Sequence, residues 1–214
     1  MTPSEVETAA RRKYNAVSDT FFSQAEILDL MFFACHQMAR ECLLIESSTT
    51  TATVIGTQTY AFPSNVISIK RITYDGMKLE PINFRLDDQL TALDSSTTST
   101  GSPRYYWVWN KTLYLRPTPD AVETLTIYTY KEPSAITIAS TLEIPSMFHP
   151  MLVDYIVSEM AAKDSNFNTS TYYRGLWEKQ VQEAKKWQKR YKQRDGFSSV
   201  MDEESMPGNI LGSV

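Results

Sequence analysis

The residues able to do chemistry are few in this chain, and their spacing does not gather them. Its 214 residues include two histidines and two cysteines. His36 falls among apolar residues in a helical pattern, where it reads as a satisfied or half-exposed core side chain rather than a base. His149, between Phe148 and Pro150 at the start of another helix, reads as structural. Cys35 and Cys42 lie seven apart inside one helical pattern, where a disulfide is geometrically awkward, so both read as buried thiols of a reducing compartment. No Cys/His spacing of a zinc site occurs. The seven glycines, with Gly56 and Gly76 as single turn glycines, form no phosphate loop or dinucleotide fingerprint. Asp87-Asp88 and Glu203-Glu204 are adjacent pairs, which point apart in a strand and are solvated in a loop, so neither reads as a catalytic dyad. A hydrolase would need convergent carboxylates around Asp75, Asp87, Asp88 or Asp120. The expectation is therefore no catalytic residue, no metal site and no cofactor.

Nucleic-acid chemistry is the rival reading. Tyr105, Tyr106, Trp107 and Trp109 beside Arg104 could stack bases, but no basic residues interleave them, and an aromatic hairpin more commonly serves core and interface. Residues 174–195 carry a charge of +5 within a chain of −4 overall, with Lys179, Lys185, Lys186, Lys189, Lys192 and Arg194 on one face of a helix. Such a face is ordinarily solvated, which leaves a nucleic-acid-binding module using this helix as the alternative function.

The elements that must position these residues begin with a helix. Thr2-Pro3-Ser4-Glu5 supplies an N-cap, a first-turn proline and the acid of a capping box, and the helix is expected to run to about Val17. Ser23-Gln24-Ala25-Glu26 repeats the capping pattern. Ile27, Leu30, Met31, Ala34, Cys35, Met38, Cys42 and Ile45 then recur at helical spacing, and Leu28, Phe32, Phe33 and Leu43 widen the apolar face. Asp29, His36, Gln37, Arg40 and Glu41 interrupt this run, so it is no bilayer span. Residues 1–20 contain Glu5, Glu7, Arg11, Arg12 and Lys13 without an apolar core, so no secretory signal is expected, and synthesis in a cytoplasm is.

A β unit follows. Ser47 to Thr53 is a polar β-branched tract leading into strands over Ala52 to Ala61 and Val66 to Tyr74, with turns at Phe62-Pro63-Ser64-Asn65 and Asp75-Gly76. Residues 84–94 fit either a short helix or an irregular loop, and Ser95 to Ser102 reads as an exposed connection. Arg104 to Trp109 and Thr112 to Arg116, joined by Asn110-Lys111, form a hairpin at the centre of the unit. Trp107, Trp109, Leu113 and Leu115 are its expected anchors, and Leu125 to Tyr130 adds a further strand to the same sheet. Beyond Pro145 a helix starts at Ser146, striped by Leu152, Tyr155, Ile156 and Met160. A last helix carries Tyr173, Trp177, Val181, Ala184, Gln188 and Tyr191 and ends at Asp195-Gly196.

The expected fold class is thus α+β: an antiparallel helical bundle with an inserted antiparallel β unit and an extended C-terminal arm. The expected divisions are helices over 1–46, the β insertion over 47–144, helices over 145–195 and the arm over 196–214. Gly196, Pro207, Gly208 and Gly212 forbid a regular element in the arm, yet Phe197, Val200, Met201, Met206, Ile210 and Leu211 are too apolar for a solvated tail, so the arm is expected to contact a partner.

The order of these parts carries a resemblance. Two capped helices precede a β region with Thr59-Tyr60-Ala61-Phe62-Pro63 and Ile72-Thr73-Tyr74-Asp75-Gly76. Gly101-Ser102-Pro103-Arg104-Tyr105-Tyr106, Leu113-Tyr114-Leu115-Arg116-Pro117-Thr118-Pro119-Asp120 and Ile144-Pro145-Ser146-Met147-Phe148-His149 with its helix follow. Over roughly residues 1–195 the chain resembles the head-to-tail adaptor proteins of tailed bacteriophages, and within them the tail tubular protein A group of short-tailed phages. The resemblance implies a dodecameric ring in the virion neck, assembled in the bacterial cytoplasm. The ring would sit between the portal protein and a tail or nozzle protein, pass genomic DNA through its lumen without specific binding, and touch no membrane. It also implies an arm that reaches a portal or a neighbouring copy, and no catalytic residues.

Overall fold

A computed structural model describes residues 1–18, 20–93 and 100–194. Helix α1 (Pro3–Lys13) opens on the anticipated capping box, with Thr2 and Glu5 exchanging side-chain and backbone hydrogen bonds. It ends four residues before Val17, because Tyr14 caps it and Asn15 turns to a φ of 61°. Helix α2 (Gln24–Cys42) is capped by Ser23, which accepts from the Glu26 N–H. Glu26 sends its carboxylate to Lys163 at 2.7 Å rather than back to the cap. Leu43, left-handed at φ 50°, stops the helix, and Leu44 and Ile45 lead directly into a strand.

That strand, β1 (Glu46–Ala52), occupies the Ser/Thr tract, earlier than the sequence reading placed it. Thr53 to Gln58 is a loop, and β2 is only Thr59–Ala61. Strands β3 (Val66–Tyr74) and β4 (Met77–Lys78) are joined by Asp75 and Gly76, both with positive φ as a type I′ turn requires. After β5 (Glu80–Pro81) comes α3 (Phe84–Leu93), which settles the ambiguous stretch as a helix. The hairpin β6 (Tyr105–Trp109) and β7 (Thr112–Arg116) turns on Asn110 and Lys111, again both at positive φ. Strand β8 (Thr124–Lys131) is the last among the described residues.

The strands form two sheets rather than the single one expected. One has the order β1-β8-β3-β4 and the other β2-β7-β6-β5, with β5 and β6 parallel and every other pairing antiparallel. The two pack face to face through Ile72, Tyr74, Leu125 and Ile127 from the first and Tyr106, Leu113 and Leu115 from the second, with Leu79 between them. Leu113 and Leu115 are fully buried here. By strand alternation Trp107 and Trp109 point to the opposite face of their sheet from Leu113 and Leu115. Trp107 is buried and stacks on Tyr114 at 5.0 Å, whereas Trp109 is 60% exposed and meets the edge of Phe84. Helix α3 covers that outer face, tied down by the 2.6 Å Arg116–Asp87 ion pair.

After an irregular segment, a 3₁₀ turn (Ser146–Phe148) leads into α4 (His149–Lys163), and α5 (Phe167–Arg194) follows. Helices α1, α2, α4 and α5 share a second core, in which Ile27, Met31, Met38, Leu152, Ile156 and Trp177 are fully buried. Among the described residues the fold is mixed α+β with five α-helices.

Candidate interaction surface

The histidines and cysteines take part in the packing of the chain. The His149 Nε2 lies 2.9 Å from the Ile144 carbonyl and its Nδ1 lies 3.0 Å from the Met1 amine, so the ring staples α4 to the chain start. His36 is part-exposed and sits 3.3 Å from Glu132. Cys35 and Cys42 are free and buried. Burial, with the nearby Glu143 charge, pushes the Cys35 thiol up to about 12, and burial pushes Cys42 up to about 11, far from the thiolate a nucleophile needs. A cavity of about 420 Å³ beside Cys35 is lined by Ile136, Ser140 and Glu143. Burial would raise the Glu143 carboxyl, but hydrogen bonds from Lys131 and Ser134 outweigh this and hold it below the usual range. The carboxylates named as a possible dyad do not act as one: Asp87 accepts from Arg116 while Asp88 is exposed. Among the described residues no group of three or more His, Cys, Asp or Glu could hold a metal ion, and no helix is long and apolar enough to cross a membrane.

The basic face of α5 is partly committed as well. Lys185 pairs with Glu41 at 2.8 Å, a contact that lowers the carboxyl and raises the amine. The buried Asp154 takes both Lys13 and Gln180, the latter at 2.8 Å, and Arg174 pairs with Glu159.

What the surface does offer is exposed apolar side chains, two groups of which fall on the sheets and on the helices. At the end of the first sheet farthest from the helices, Val54, Ile55, Met77 and Val122 are each more than half exposed. The backbone beneath them is firmly built. Buried Thr53 donates to the Ala121 and Glu123 carbonyls at 3.2 and 3.1 Å and accepts from the Glu123 N–H, and Gly56 N–H donates to Pro119. The Tyr60 hydroxyl accepts from the Val54 N–H and donates to the Thr57 carbonyl, and the buried Tyr74 hydroxyl donates to Ala121. Gly56, at φ 76°, allows the tight reversal. The tip also carries Asp75 and Asp120. At the start of α2, Val17, Phe21, Phe167 and Tyr172 form the other exposed group, with Lys163 donating to the Phe21 carbonyl and resting 4.4 Å above its ring. Patches of this kind, held on ordered backbone, are interaction sites more often than chance.

Sequence reasoning missed both groups. The available signal was apolar residues flanking turn glycines, Val54-Ile55-Gly56 and Gly76-Met77, where a solvated turn would be polar. The arm residues Phe197, Val200, Met201, Met206, Ile210 and Leu211 lie outside the described residues.

The surface thus carries exposed apolar groups, and both histidines and both cysteines have structural surroundings. Comparison with known families agrees: a model described as SU10 adaptor protein matches residues 1–201, and the chain belongs to that family. No curated protein matches it.

Proposed function

We propose that this chain is a structural head-to-tail adaptor of a tailed phage. Copies assemble into a ring, a dodecamer in the fullest form of the proposal, between the portal and a tail or nozzle protein, and the ring retains and conducts the DNA. In finer placement it stands with the tail tubular protein A group. The four packed helices act as a bundle that builds the ring wall, and the sheet end with Val54, Ile55, Met77 and Val122 faces the tail. Trp107, Leu113 and Leu115 hold the sheets in place behind that end. The segment from Phe197 to Val214, with Val200, Met201, Met206, Ile210 and Leu211, reaches a neighbouring copy or the portal.

The observation that carries this reading is the presence of exposed apolar groups on both the sheets and the helices of a chain of the SU10 adaptor protein family. A connector has to hold two different partners at once, and a surface with one binding end would not serve. Purified chain, alone and mixed with its portal, would be followed by light scattering and negative-stain imaging. The expected result is a ring seated on the portal; a stable monomer that ignores every virion component overturns the proposal.

A further inference from the structure

Sheet edges are ready-made templates for another strand, and folded proteins keep them short, charged, kinked or covered. Three of the four edges here obey that rule: β2 has three residues, and β4 and β5 have two each. The fourth, β1, has seven, runs in unbroken register against β8, and contains no lysine, proline or bulge. Among the described residues β8 is its only strand partner.

Its outward groups can be assigned. The Thr53 N–H donates to Glu123 and the Lys131 N–H to Ile45, so the odd-numbered residues of β1 are those that bond to β8. Glu46, Ser48, Thr50 and Ala52 therefore turn their N–H and C=O groups away from the sheet. A strand laid there would gain a ladder along the whole of β1.

We infer that β1 is the dock for the segment Phe197–Met201 of a neighbouring copy, which adds as a fifth strand; this rests on the self-assembling adaptor reading above. Within residues 195–214, Phe197-Ser198-Ser199-Val200-Met201 is the longest run without Gly, Pro, Asp or Glu, and Phe and Val favour strands. Its point of departure is close to the edge. Trp177 donates to Gln37, Cys42 contacts the Val181 carbonyl and Gln188 donates to the Leu43 carbonyl at 2.8 Å, so the last turns of α5 lie beside the place where β1 begins. Past Arg194 an extended chain places Phe197 within roughly 10 Å and Met201 within roughly 23 Å of the helix end. A closed ring needs two different complementary surfaces on every copy. An edge lacking a strand and a strand lacking an edge are such a pair.

Two populations of full-length chain decide the matter, one carrying Thr50→Cys and a size tag, the other Val200→Cys. They are mixed and treated with a short bismaleimide, to which the buried Cys35 and Cys42 are poorly reactive. A covalent product of one tagged and one untagged chain is expected. Its absence overturns the inference, as does a link found only within single chains of the Thr50→Cys/Val200→Cys double variant. A Thr50→Pro variant removes an outward N–H while sparing every backbone bond to β8, losing there only the 3.5 Å hydroxyl contact with Thr126. It should keep the wild-type circular dichroism and lose at least tenfold in copy–copy association; undiminished association overturns the inference. Should Thr50→Pro not fold, Thr50→Lys guards the same edge without touching the ladder. Portal binding is scored separately: rings on the portal without the cross-link reject the β1 dock alone, whereas a chain that ignores the portal rejects the adaptor reading.

Discussion

The helix core and the sheet core solve the same burial problem by different means. The helical one is threaded by polar side chains that reach across long sequence separations: Asp154 holds Lys13 and Gln180, Gln188 donates to the Leu43 carbonyl, and His149 bridges Met1 and Ile144. The sheet core carries only tyrosine and threonine hydroxyls as buried polar side chains among the described residues, and its specificity comes from the backbone ladders. Helices satisfy their backbones internally and so need side chains to fix how they pack, whereas strands obtain register and partner choice from the same hydrogen bonds. The consequence is that helix-core variants should disturb packing everywhere along the four helices, while sheet-core variants should act through a few aliphatic contacts.

The strongest way to break this contrast is Trp177→Ala. The ring is fully buried among α2 and α4 side chains and its Nε1 donates to Gln37, so the loss should be about 3–5 kcal/mol by urea denaturation. Leu113→Ala is the sheet counterpart, expected to cost about 2–5 kcal/mol. With it, Trp107 fluorescence should change before the helical circular dichroism does. One coincident transition for both signals would show that the two cores unfold as a single unit.

Alkali should act on the helix core through its thiols, alongside the Tyr74 and Tyr106 hydroxyls that burial pushes up in the sheet core. The folded chain keeps the Cys35 proton up to about 12 and the Cys42 proton up to about 11, whereas an unfolded thiol releases it near 9.0. The unfolded state thus binds fewer protons above 9.0, and this contribution, complete below that pH, is lost as pH rises through 11 to 12. Urea midpoints should fall over this range, and Cys35→Ala should flatten the fall; an unchanged slope would place the pH dependence elsewhere. The smallest effect is expected at Trp109→Ala, within about 0.5 kcal/mol, because the ring is 60% exposed and only edges Phe84. A loss comparable with that of Leu113→Ala would return Trp109 to the anchors.

Sequence pattern revealed the helices and tight turns because their signals are local. Thr2 and Ser23 cap where their spacing to Glu5 and Glu26 requires, and Asp75-Gly76 and Asn110-Lys111 adopt the positive φ that two-residue hairpins demand. β1 was hidden because it is polar and solvated on both faces for most of its length, which removes the alternation by which a strand is recognised. The split into two sheets was equally hidden. It depends on β1 pairing with β8 and β2 with β7, contacts between distant segments that no local pattern encodes. The exposed ends escaped notice because exposure belongs to the assembled surface, and Val54 or Phe21 reads in sequence as one more core residue.

The Lys131 N–H donates to the Ile45 carbonyl at 3.0 Å, so the excursion into the sheets leaves the helices and returns at one point. To the helices, everything from β1 to β8 amounts to a short closed loop. Its closure entropy is settled at that one hydrogen bond rather than at the far turns. Residues inserted or removed around Gly56, Gly76 or Val122 would leave the gap the helices must bridge unchanged, and the exposed sheet tip could therefore change its length while the helical framework stays as it is.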